Sequence, residues 1–317
     1  MADRIAVDFD SWPYPALVAH RGAGKLAPEN TLAAFRLGAQ HGYRMFECDV
    51  RLSADGVPFL LHDDRLERTT DGVGMAGDRS WDELGKLDAG RWHSDEYGGE
   101  PVPRLEDLAR WVLANRLLLD VEIKPSPGTE AKTGETVAGA CAALWQDHEV
   151  PPLLTSFKVR SLEAARDAVP WLPRGLLVNE LWEGWLATAQ RLQCVAVVLK
   201  HTLVDVPLVR QVHGARMRVG VYTPNDTVDV ARAQAAGVDM VVTDAIDVHQ
   251  PRWDTRKGPP RIRRSGSSSP AACRPPRRDS LRSRPRAARP DRSRNPAVSS
   301  RPADTGPSGG EAARVAG

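Results

Sequence analysis

Long apolar segments are missing from this chain. No run approaches the roughly 20 residues that a helix needs to cross a bilayer, so the sequence predicts no membrane span. The amino-terminal segment Met1–Trp12 is acidic and lacks both the basic and the apolar region of a secretion signal. We therefore expect a cytoplasmic protein.

Cysteine is scarce as well. The 317 residues include four cysteines, which lie far apart and form no CxxC pair: Cys48, Cys141, Cys194 and Cys273. This spacing excludes the usual zinc motifs and the disulfide framework of small secreted domains. Isolated thiols of this kind are typical of proteins from a reducing compartment.

An excess of basic residues is missing from most of the chain, although the overall net charge is +2. Of the 43 Lys and Arg residues 17 follow position 250, and so do 5 of the 41 Asp and Glu residues. Residues 1–250 therefore hold 26 basic and 36 acidic side chains, a net charge of −10. Because duplex nucleic acids are bound through basic surface, this charge argues against nucleic acid as a partner of residues 1–250.

Residues 251–317 differ in composition from the rest. Pro, Arg, Ser, Ala and Gly dominate, large apolar side chains are few, and 17 basic against 5 acidic residues give a net charge of +12. Such a segment buries too little apolar surface to offset the entropy of ordering it, so we expect disorder. Three interpretations stay open: an extension without a role, a basic tail that contacts RNA or an anionic membrane, and a readthrough or frame-shifted end.

Short apolar runs alternate with helical stretches along residues 1–250, as is typical of a parallel α/β sheet. About eight or nine strands over such a length favour a closed (β/α)₈ TIM barrel over an open sheet. The predicted strands are Ala16–Ala19, Arg44–Val50, Arg116–Ile123, Leu153–Ser156, Gly175–Val178, Val195–Leu199, Arg218–Tyr222 and Met240–Thr243. The predicted helices are Asn30–His41, Leu105–Asn115, Thr133–Gln146, Val159–Val169, Glu183–Leu192, Pro207–Val212 and Thr227–Ala236.

One unit breaks the alternation. Two apolar runs, Phe46–Ser53 and Val57–Leu61, are separated by three residues that include Asp55-Gly56, a strong hairpin signal. With Asp55-Gly56 as a two-residue turn, Asp49 lies opposite His62, with Cβ atoms about 4.5–5.5 Å apart. Glu47 shares that face because side chains alternate along a strand.

The segment from Asp63 to about Pro103 does not follow the barrel rhythm. It is rich in Gly, Asp and Arg and includes one short helical piece, Ser80–Leu84, in which Ser80 and Glu83 have the spacing of a capping box. We expect an insertion after the third strand, over the mouth of the barrel, where long loops tend to be functional.

Charged and acid-base residues cluster at the ends of the predicted strands, which is where TIM barrels carry catalytic groups. The clusters are His20-Arg21, Glu47-x-Asp49, His62-Asp63 and Glu122-x-Lys124. Three neighbouring carboxylates repel one another unless a cation lies between them, and carboxylate oxygens suit a hard divalent ion such as Mg²⁺. Separate surface acids are the alternative, but the apolar context of residues 45–50 disfavours it.

The remaining members of the clusters fit the cleavage of a phosphodiester. This reaction requires a base for the attacking hydroxyl and an acid for the leaving alkoxide, and histidine suits both tasks, so we predict that His20 and His62 are catalytic. Arg21 and Lys124 are the expected phosphate contacts. Two cations and a divalent ion balance the charge of three carboxylates and a diester.

The clusters and their surroundings resemble the glycerophosphodiester phosphodiesterase family across residues 12–250. The shared motifs are Ala19-His20-Arg21-Gly22, Pro28-Glu29-Asn30-Thr31, Glu47-x-Asp49-Val50, Ser53-x-Asp55-Gly56-x-Pro58, His62-Asp63, Leu66-x-Arg68-Thr69-Thr70, Glu122-Ile123-Lys124, Ser156-Phe157, Gly237-Val238-Asp239 and Thr243-Asp244. Further stretches, such as Trp12-Pro13-Tyr14-Pro15, resemble the cytosolic bacterial members that accompany glycerol-3-phosphate uptake. Where many members have Trp-Thr-Val-Asn, this chain has Tyr222-Thr223-Pro224-Asn225, a pocket wall or a plain turn.

The resemblance implies a distorted (β/α)₈ barrel over residues 1–250, with an insertion at 63–103 and the tail 251–317 outside it. It also implies metal ligation of Mg²⁺ or Ca²⁺ by Glu47, Asp49 and Glu122. The implied substrates are small glycerophosphodiesters, such as glycerophosphocholine and glycerophosphoethanolamine, cleaved to sn-glycerol 3-phosphate and an alcohol. Two alternatives stay open: a phospholipase of the same barrel superfamily, and a non-catalytic protein that binds RNA through its tail.

Overall fold

The computed structural model describes residues 5–251, which form nine strands. Eight of them are parallel neighbours, and β1 pairs with both β9 and β2, so the sheet closes into the predicted (β/α)₈ barrel. The strands are β1 (Leu17–Ala19), β2 (Met45–Leu52), β3 (Pro58–Leu60), β4 (Leu118–Ile123), β5 (Leu153–Ser156), β6 (Arg174–Val178), β7 (Ala196–Lys200), β8 (Arg218–Tyr222) and β9 (Met240–Thr243). The predicted tail lies, apart from Pro251, outside the described residues.

Helices follow the barrel strands in sequence, and some of them begin at a side chain that accepts hydrogen bonds from free backbone N–H groups. Thr31 accepts from the amide of Ala34, and Asp226 accepts from the amides of Val228 and Asp229. The helices are α1 (Leu32–Gln40), α2 (Trp81–Leu84), α3 (Leu105–Ala114), α4 (Glu130–Leu144), α5 (Val159–Ala168), α6 (Trp185–Arg191), α7 (Val206–Gly214) and α8 (Thr227–Ala236). None of these helices of residues 5–251 has the length and apolar character required to cross a bilayer.

Side chains of the strands divide between the barrel interior and the layer of helices outside. The interior is filled near the amino ends by apolar side chains, among them Val18, Met45, Leu153 and Met240. Because side chains alternate along a strand, the face of β2 that carries Met45 also carries Glu47 and Asp49. The inward face of the barrel is therefore apolar at one end of β2 and acidic at the other.

The hairpin of β2 and β3 forms, but the predicted register is wrong by one residue. Val50 pairs with Leu60 and Leu52 with Pro58, which places Asp49 opposite Leu61 rather than His62. The reason is the turn: Ser53 and Val57 close a loop of three residues, not two, and Gly56 in it has a φ of +84°. His62 therefore lies beyond the paired strand, and strand alternation does not decide where its side chain points.

The insertion between β3 and α3 has a small apolar core of its own. The core comprises Phe59, Leu61, Leu66, Ala76, Leu84, Ala89 and Val102. The predicted capping box is present, since the Ser80 amide donates to the Glu83 carboxylate over 2.9 Å. Two 3₁₀ turns that were not predicted, Ala76–Asp78 and Asp95–Tyr97, accompany α2.

The contact between α4 and α5 gives a stability test with an internal control. A Cβ on Gly134 would lie 2.1 Å from the Ser161 carbonyl oxygen, whereas a Cβ on Gly139 of the same helix meets no described atom within 4 Å. We expect Gly134→Ala to lower the free energy of unfolding by about 1–3 kcal/mol through overpacking. Gly139→Ala should raise it by about 0.5–1 kcal/mol, because alanine loses less backbone entropy in a helix.

Urea denaturation of both variants measures the difference. Equal effects of the two substitutions would contradict the close approach of α5 to Gly134.

Candidate active site

Three carboxylates meet inside the barrel at the carboxyl ends of β2 and β4. The strand register places Asp49 beside Glu122, and Glu47 lies on the same face of β2. Each residue offers an oxygen within 4.8 Å of the others, and all three side chains are buried. The parallel pairing of β2 and β4 thus brings together the acids that the sequence placed in separate clusters.

This proximity changes the acidity of the three carboxyl groups. Burial, reinforced by the negative charges of its two neighbours, raises the pKa of Glu47 well above 4.5. Burial and the charge of Asp49 raise the pKa of Glu122 to about 7. Burial would also raise the pKa of Asp49, but Arg21 and Lys124 outweigh it and lower that pKa below its usual range. If all three were ionised, the carboxylates would therefore carry more negative charge than Arg21 and Lys124 neutralise.

Two oxygens of the cluster show that it suits a cation. Glu47 Oε1 and Asp49 Oδ1 are buried and have no hydrogen-bond partner among residues 5–251. An unpaired buried polar atom is costly, and a buried carboxylate oxygen more so. Carboxylate oxygens are the donors that Mg²⁺ and Ca²⁺ prefer, so these three residues fit the divalent ion implied by the sequence.

Arg21 and Lys124 lie against the acidic cluster. Arg21 Nε is 3.2 Å from Asp49 Oδ2, and the Arg21 amide donates to Glu47 Oε2 over 3.0 Å. Lys124 Nζ is 3.1 Å from Glu122 Oε1 and 3.6 Å from Asp49 Oδ1. Both residues predicted as phosphate contacts thus lie within the site. They form ion pairs with the carboxylates and place two positive charges beside them.

His20 follows β1 and points one ring nitrogen at each of two carboxylates. Its Nδ1 is 2.6 Å from Asp244 Oδ1, and its Nε2 is 3.7 Å from Glu47 Oε2. Asp244 is adjacent because β1 and β9 pair in register, with Ala19 opposite Thr243. Burial would raise the pKa of Asp244, but hydrogen bonds from His20 and Asn225 lower it to about 2, so this carboxyl is ionised at neutral pH.

His62 follows β3 and also pairs its Nδ1 with a carboxylate. Asp63 Oδ1 is 2.6 Å away, and Arg51 donates twice to the His62 carbonyl oxygen, over 2.7 and 3.2 Å. Burial lowers the pKa of His62, although the charge of Asp49 opposes that shift. The Arg51 fork, rather than strand pairing, fixes where this histidine lies.

A chain of ion pairs connects the surroundings of the two histidines. Arg68 donates to Asp63 Oδ2 over 2.5 Å and to both oxygens of Glu29 over 2.8 Å, and Arg21 donates to Glu29 over 2.9 Å. In the sequence Glu29 lies in a family motif just before the predicted helix Asn30–His41 and has no assigned role in the site. The structure gives it one, because its side chain joins the charges of the site.

Other polar residues of the site had no predicted role. Asn30 makes two hydrogen bonds with Asp49. Its Nδ2 donates to Asp49 Oδ2 over 2.8 Å, and its Oδ1 accepts from the Asp49 backbone amide over 3.1 Å. Asp120 precedes Glu122 by two residues on β4, so both side chains lie on the same face of the strand. It is buried and accepts a hydrogen bond from the Thr155 hydroxyl, and burial raises its pKa to about 7. Both had a sequence signal, since Asn30 is in a family motif and Asp120 in an apolar strand.

Comparisons with known proteins agree on one family. The model of the glycerophosphoryl diester phosphodiesterase family matches residues 20–248. The Bacillus subtilis protein YhdW is 33% identical over 237 residues, 73% of this chain and 95% of that protein. A glycerophosphodiester phosphodiesterase of Caldanaerobacter subterraneus is 30% identical over 233 residues, 72% of this chain and 93% of that relative.

Solved structures support the same relationship. The structure of an Oleispira antarctica phosphodiesterase in complex with the product sn-glycerol-3-phosphate has a TM-score of 0.69 and 33% identity. The similarity covers 74% of this chain and 94% of that one. A glycerophosphodiester phosphodiesterase from Agrobacterium tumefaciens has a TM-score of 0.63 at 28% identity, over 74% of this chain and 98% of that one.

Proposed function

Because the chain belongs to the glycerophosphoryl diester phosphodiesterase family, we propose that it hydrolyses glycerophosphodiesters, such as glycerophosphocholine and glycerophosphoethanolamine, to sn-glycerol 3-phosphate and an alcohol. The observation that carries this proposal is the acidic cluster flanked by two carboxylate–histidine pairs and two cations at one end of the barrel. The similar Oleispira antarctica enzyme with sn-glycerol-3-phosphate supports it.

Glu47, Asp49 and Glu122 are the residues we propose as ligands of one divalent ion, Mg²⁺ or Ca²⁺. When bound, such an ion polarises the phosphoryl oxygens of the substrate. Arg21 and Lys124 lie beside the ligands with charged nitrogens that can hold the phosphate. Lys124 acts as a point charge, whereas the planar guanidinium of Arg21 can donate two parallel hydrogen bonds.

The two histidines carry the protons in the proposed mechanism. His20 accepts the proton of the neighbouring glycerol hydroxyl as its oxygen attacks phosphorus, and His62 donates a proton to the alkoxide as the bond to the head-group alcohol breaks. This first step leaves a cyclic glycerol phosphate. In the second step the roles are exchanged: His62 takes a proton from water as it opens the ring, and His20 returns its proton to the glycerol oxygen.

Each histidine suits this work because a carboxylate holds its Nδ1. Asp244 and Asp63 stabilise the imidazolium that forms when the ring accepts a proton. The opposite ring nitrogen, Nε2, is then on the side of the substrate, and in His20 it faces the acidic cluster, 3.7 Å from Glu47 Oε2. We assign the activity to residues 1–250, since the family match ends at residue 248, and propose a cytoplasmic enzyme of glycerol and lipid metabolism.

A coupled assay for glycerol 3-phosphate tests the proposal on the full chain. Glycerophosphocholine and glycerophosphoethanolamine are expected to release glycerol 3-phosphate, and a chelator should abolish the release because the three carboxylates then lose their cation. Mg²⁺ or Ca²⁺ in excess of the chelator should restore it. Release that is unaffected by exhaustive chelation would contradict metal dependence, and no release from either substrate would contradict the proposed function.

A further inference from the structure

The geometry points to Asp244 and Asn225 as positioning residues that fix the tautomer of His20, so that its unprotonated Nε2 faces the substrate. This inference rests on the proposed role of His20 as base. Neither positioning residue touches the acidic cluster through any contact that the structure shows. Their hydrogen bonds connect them to the reaction through the imidazole.

The orientation of the Asn225 amide is fixed by its neighbours. The backbone amide of Asp244 can only donate, and it donates to Asn225 Oδ1 over 2.9 Å. The Thr243 hydroxyl donates to the same oxygen over 3.1 Å. Since Oδ1 is thereby the acceptor, the other end of the side chain is the NH₂ group, and it donates to Asp244 Oδ2 over 2.9 Å.

The orientation of Asn225 decides the protonation of His20 in turn. Asp244 uses Oδ2 to accept from Asn225, and its Oδ1 lies 2.6 Å from His20 Nδ1. Both carboxylate oxygens are acceptors, so the hydrogen in the short contact belongs to the imidazole, on Nδ1. The neutral ring then has its lone pair on Nε2, the nitrogen that a base must present.

A single substitution should reverse this arrangement. In Asp244→Asn the side-chain oxygen must stay where Asn225 donates, which leaves the new NH₂ group against His20 Nδ1. The imidazole then accepts at Nδ1 and carries its proton on Nε2, the wrong nitrogen for a base. Asp244→Ala leaves the ring free to adopt either tautomer, so the isosteric change should be the more harmful one.

A second substitution should correct the first. In the swapped variant Asn225→Asp/Asp244→Asn, a carboxylate at position 225 still accepts the backbone amide of residue 244 with one oxygen. Its other oxygen now accepts from the amide nitrogen at 244, so the oxygen at 244 turns toward His20 Nδ1. The original tautomer returns. The backbone carbonyl of residue 225, which is 2.9 Å from His249 Nε2, keeps its contact because no backbone atom changes.

The test compares the full-length wild type with Asp244→Asn, Asp244→Ala and the swapped variant in the glycerol 3-phosphate assay. Asp244→Asn is expected to lower kcat by about 10³–10⁴-fold, the effect of a wrong histidine tautomer in a serine protease triad. Asp244→Ala should lower kcat by only about 10²-fold. The swapped variant should recover at least about tenfold over Asp244→Asn, with KM little changed throughout, because only the proton transfer is affected.

A spectroscopic measurement keeps the test independent of turnover. Nitrogen-15 NMR of histidine-labelled protein, about 2 pH units above the ordinary histidine pKa of about 6.5, reports which ring nitrogen of His20 carries hydrogen. His20→Ala assigns the signals. We expect hydrogen on Nδ1 in the wild type and the swapped variant, and on Nε2 in Asp244→Asn.

Two results would overturn the inference: an Asp244→Asn variant at least as active as Asp244→Ala, or an unchanged His20 tautomer in Asp244→Asn. A purely structural role of Asp244 predicts both, since asparagine has the shape of aspartate. Failure of the proposed function is distinguishable, because the wild type itself would then release no glycerol 3-phosphate while the tautomer pattern could still be measured.

Discussion

Alanine in place of His20 is expected to lower kcat for glycerol 3-phosphate release by about 10²–10⁴-fold without unfolding the protein. The imidazole is the group that we propose to take the proton of the attacking hydroxyl, and water replaces it poorly because water is a weak base near neutral pH. The side chain contributes little to the core, since its contacts are with Asp244 and Glu47 at the rim of the site. His62→Ala should lose activity to a similar extent.

Initial rates in the coupled assay measure this loss, and circular dichroism with thermal melting checks the fold. His148→Ala is the matched control, because His148 is exposed in the connection between α4 and β5. Its rate should equal that of the wild type. Turnover by His20→Ala or His62→Ala at the wild-type rate would refute the assignment of the acid-base pair.

The acidic cluster could be predicted from sequence because it depends on strand periodicity and on the parallel order of the barrel strands. Glu47 and Asp49 are two residues apart on a strand, and Glu122 lies near the carboxyl end of the next parallel strand of the barrel. Neither fact depends on the turn after β2. The hairpin register was wrong, yet the cluster formed, because β4 rather than β3 supplies its third member.

The surroundings of the histidines could not be predicted in this way. Asp244 lies 224 residues from His20 in sequence, and only closure of the barrel by β1 and β9 makes them neighbours. His62 is placed by Arg51, whose fork reaches the His62 carbonyl from the adjacent strand. A periodic pattern shows which face a strand residue occupies, but not how a residue beyond the strand is held.

The bounds of the helices and strands could likewise be predicted only where a local sequence pattern marks them. The strand Leu153–Ser156 and the helix Thr227–Ala236 have their predicted bounds, because apolar runs or capping residues mark both ends. Helix α4 begins at Glu130, three residues before its predicted start, since its first turn is polar and gives no apolar signal. The bounds of an element could thus be predicted where an apolar run or a capping residue marks them. The start of α4 has neither signal and could not be predicted.

Glutamine in place of Glu47 is expected to abolish activity while making the metal-free protein more stable. Activity is lost because the amide is a poorer ligand than a carboxylate and the proposed metal site then has two carboxylates. Glu135→Gln, on the exposed face of α4, is the control and should change neither property. Calorimetric titration with Mg²⁺ or Ca²⁺ should show binding to the control protein and binding weaker by about tenfold or more to Glu47→Gln.

The gain in stability follows from the acidity of the buried carboxyl. Burial raises the pKa of Glu47 above its ordinary 4.5, so its contribution to folding is fully present below pH 4.5 and is lost as pH rises toward the folded-state pKa. Glutamine has no such loss. Metal-free Glu47→Gln should therefore melt higher than the wild type above pH 4.5, by about 2–4 °C for each kcal/mol recovered.

Glu47→Gln is thus expected to lose activity and to gain stability. This combination distinguishes a carboxylate that binds a metal from one that only stabilises the fold. Glutamine keeps the oxygen that accepts the Arg21 amide, and its NH₂ group replaces the buried oxygen that has no partner in the described part of the chain. A carboxylate kept only for folding would lose stability on this change and leave activity intact. Thermal melting of chelated samples beside the activity assay decides the matter: a lower melting temperature with wild-type turnover would show that no cation is held at Glu47.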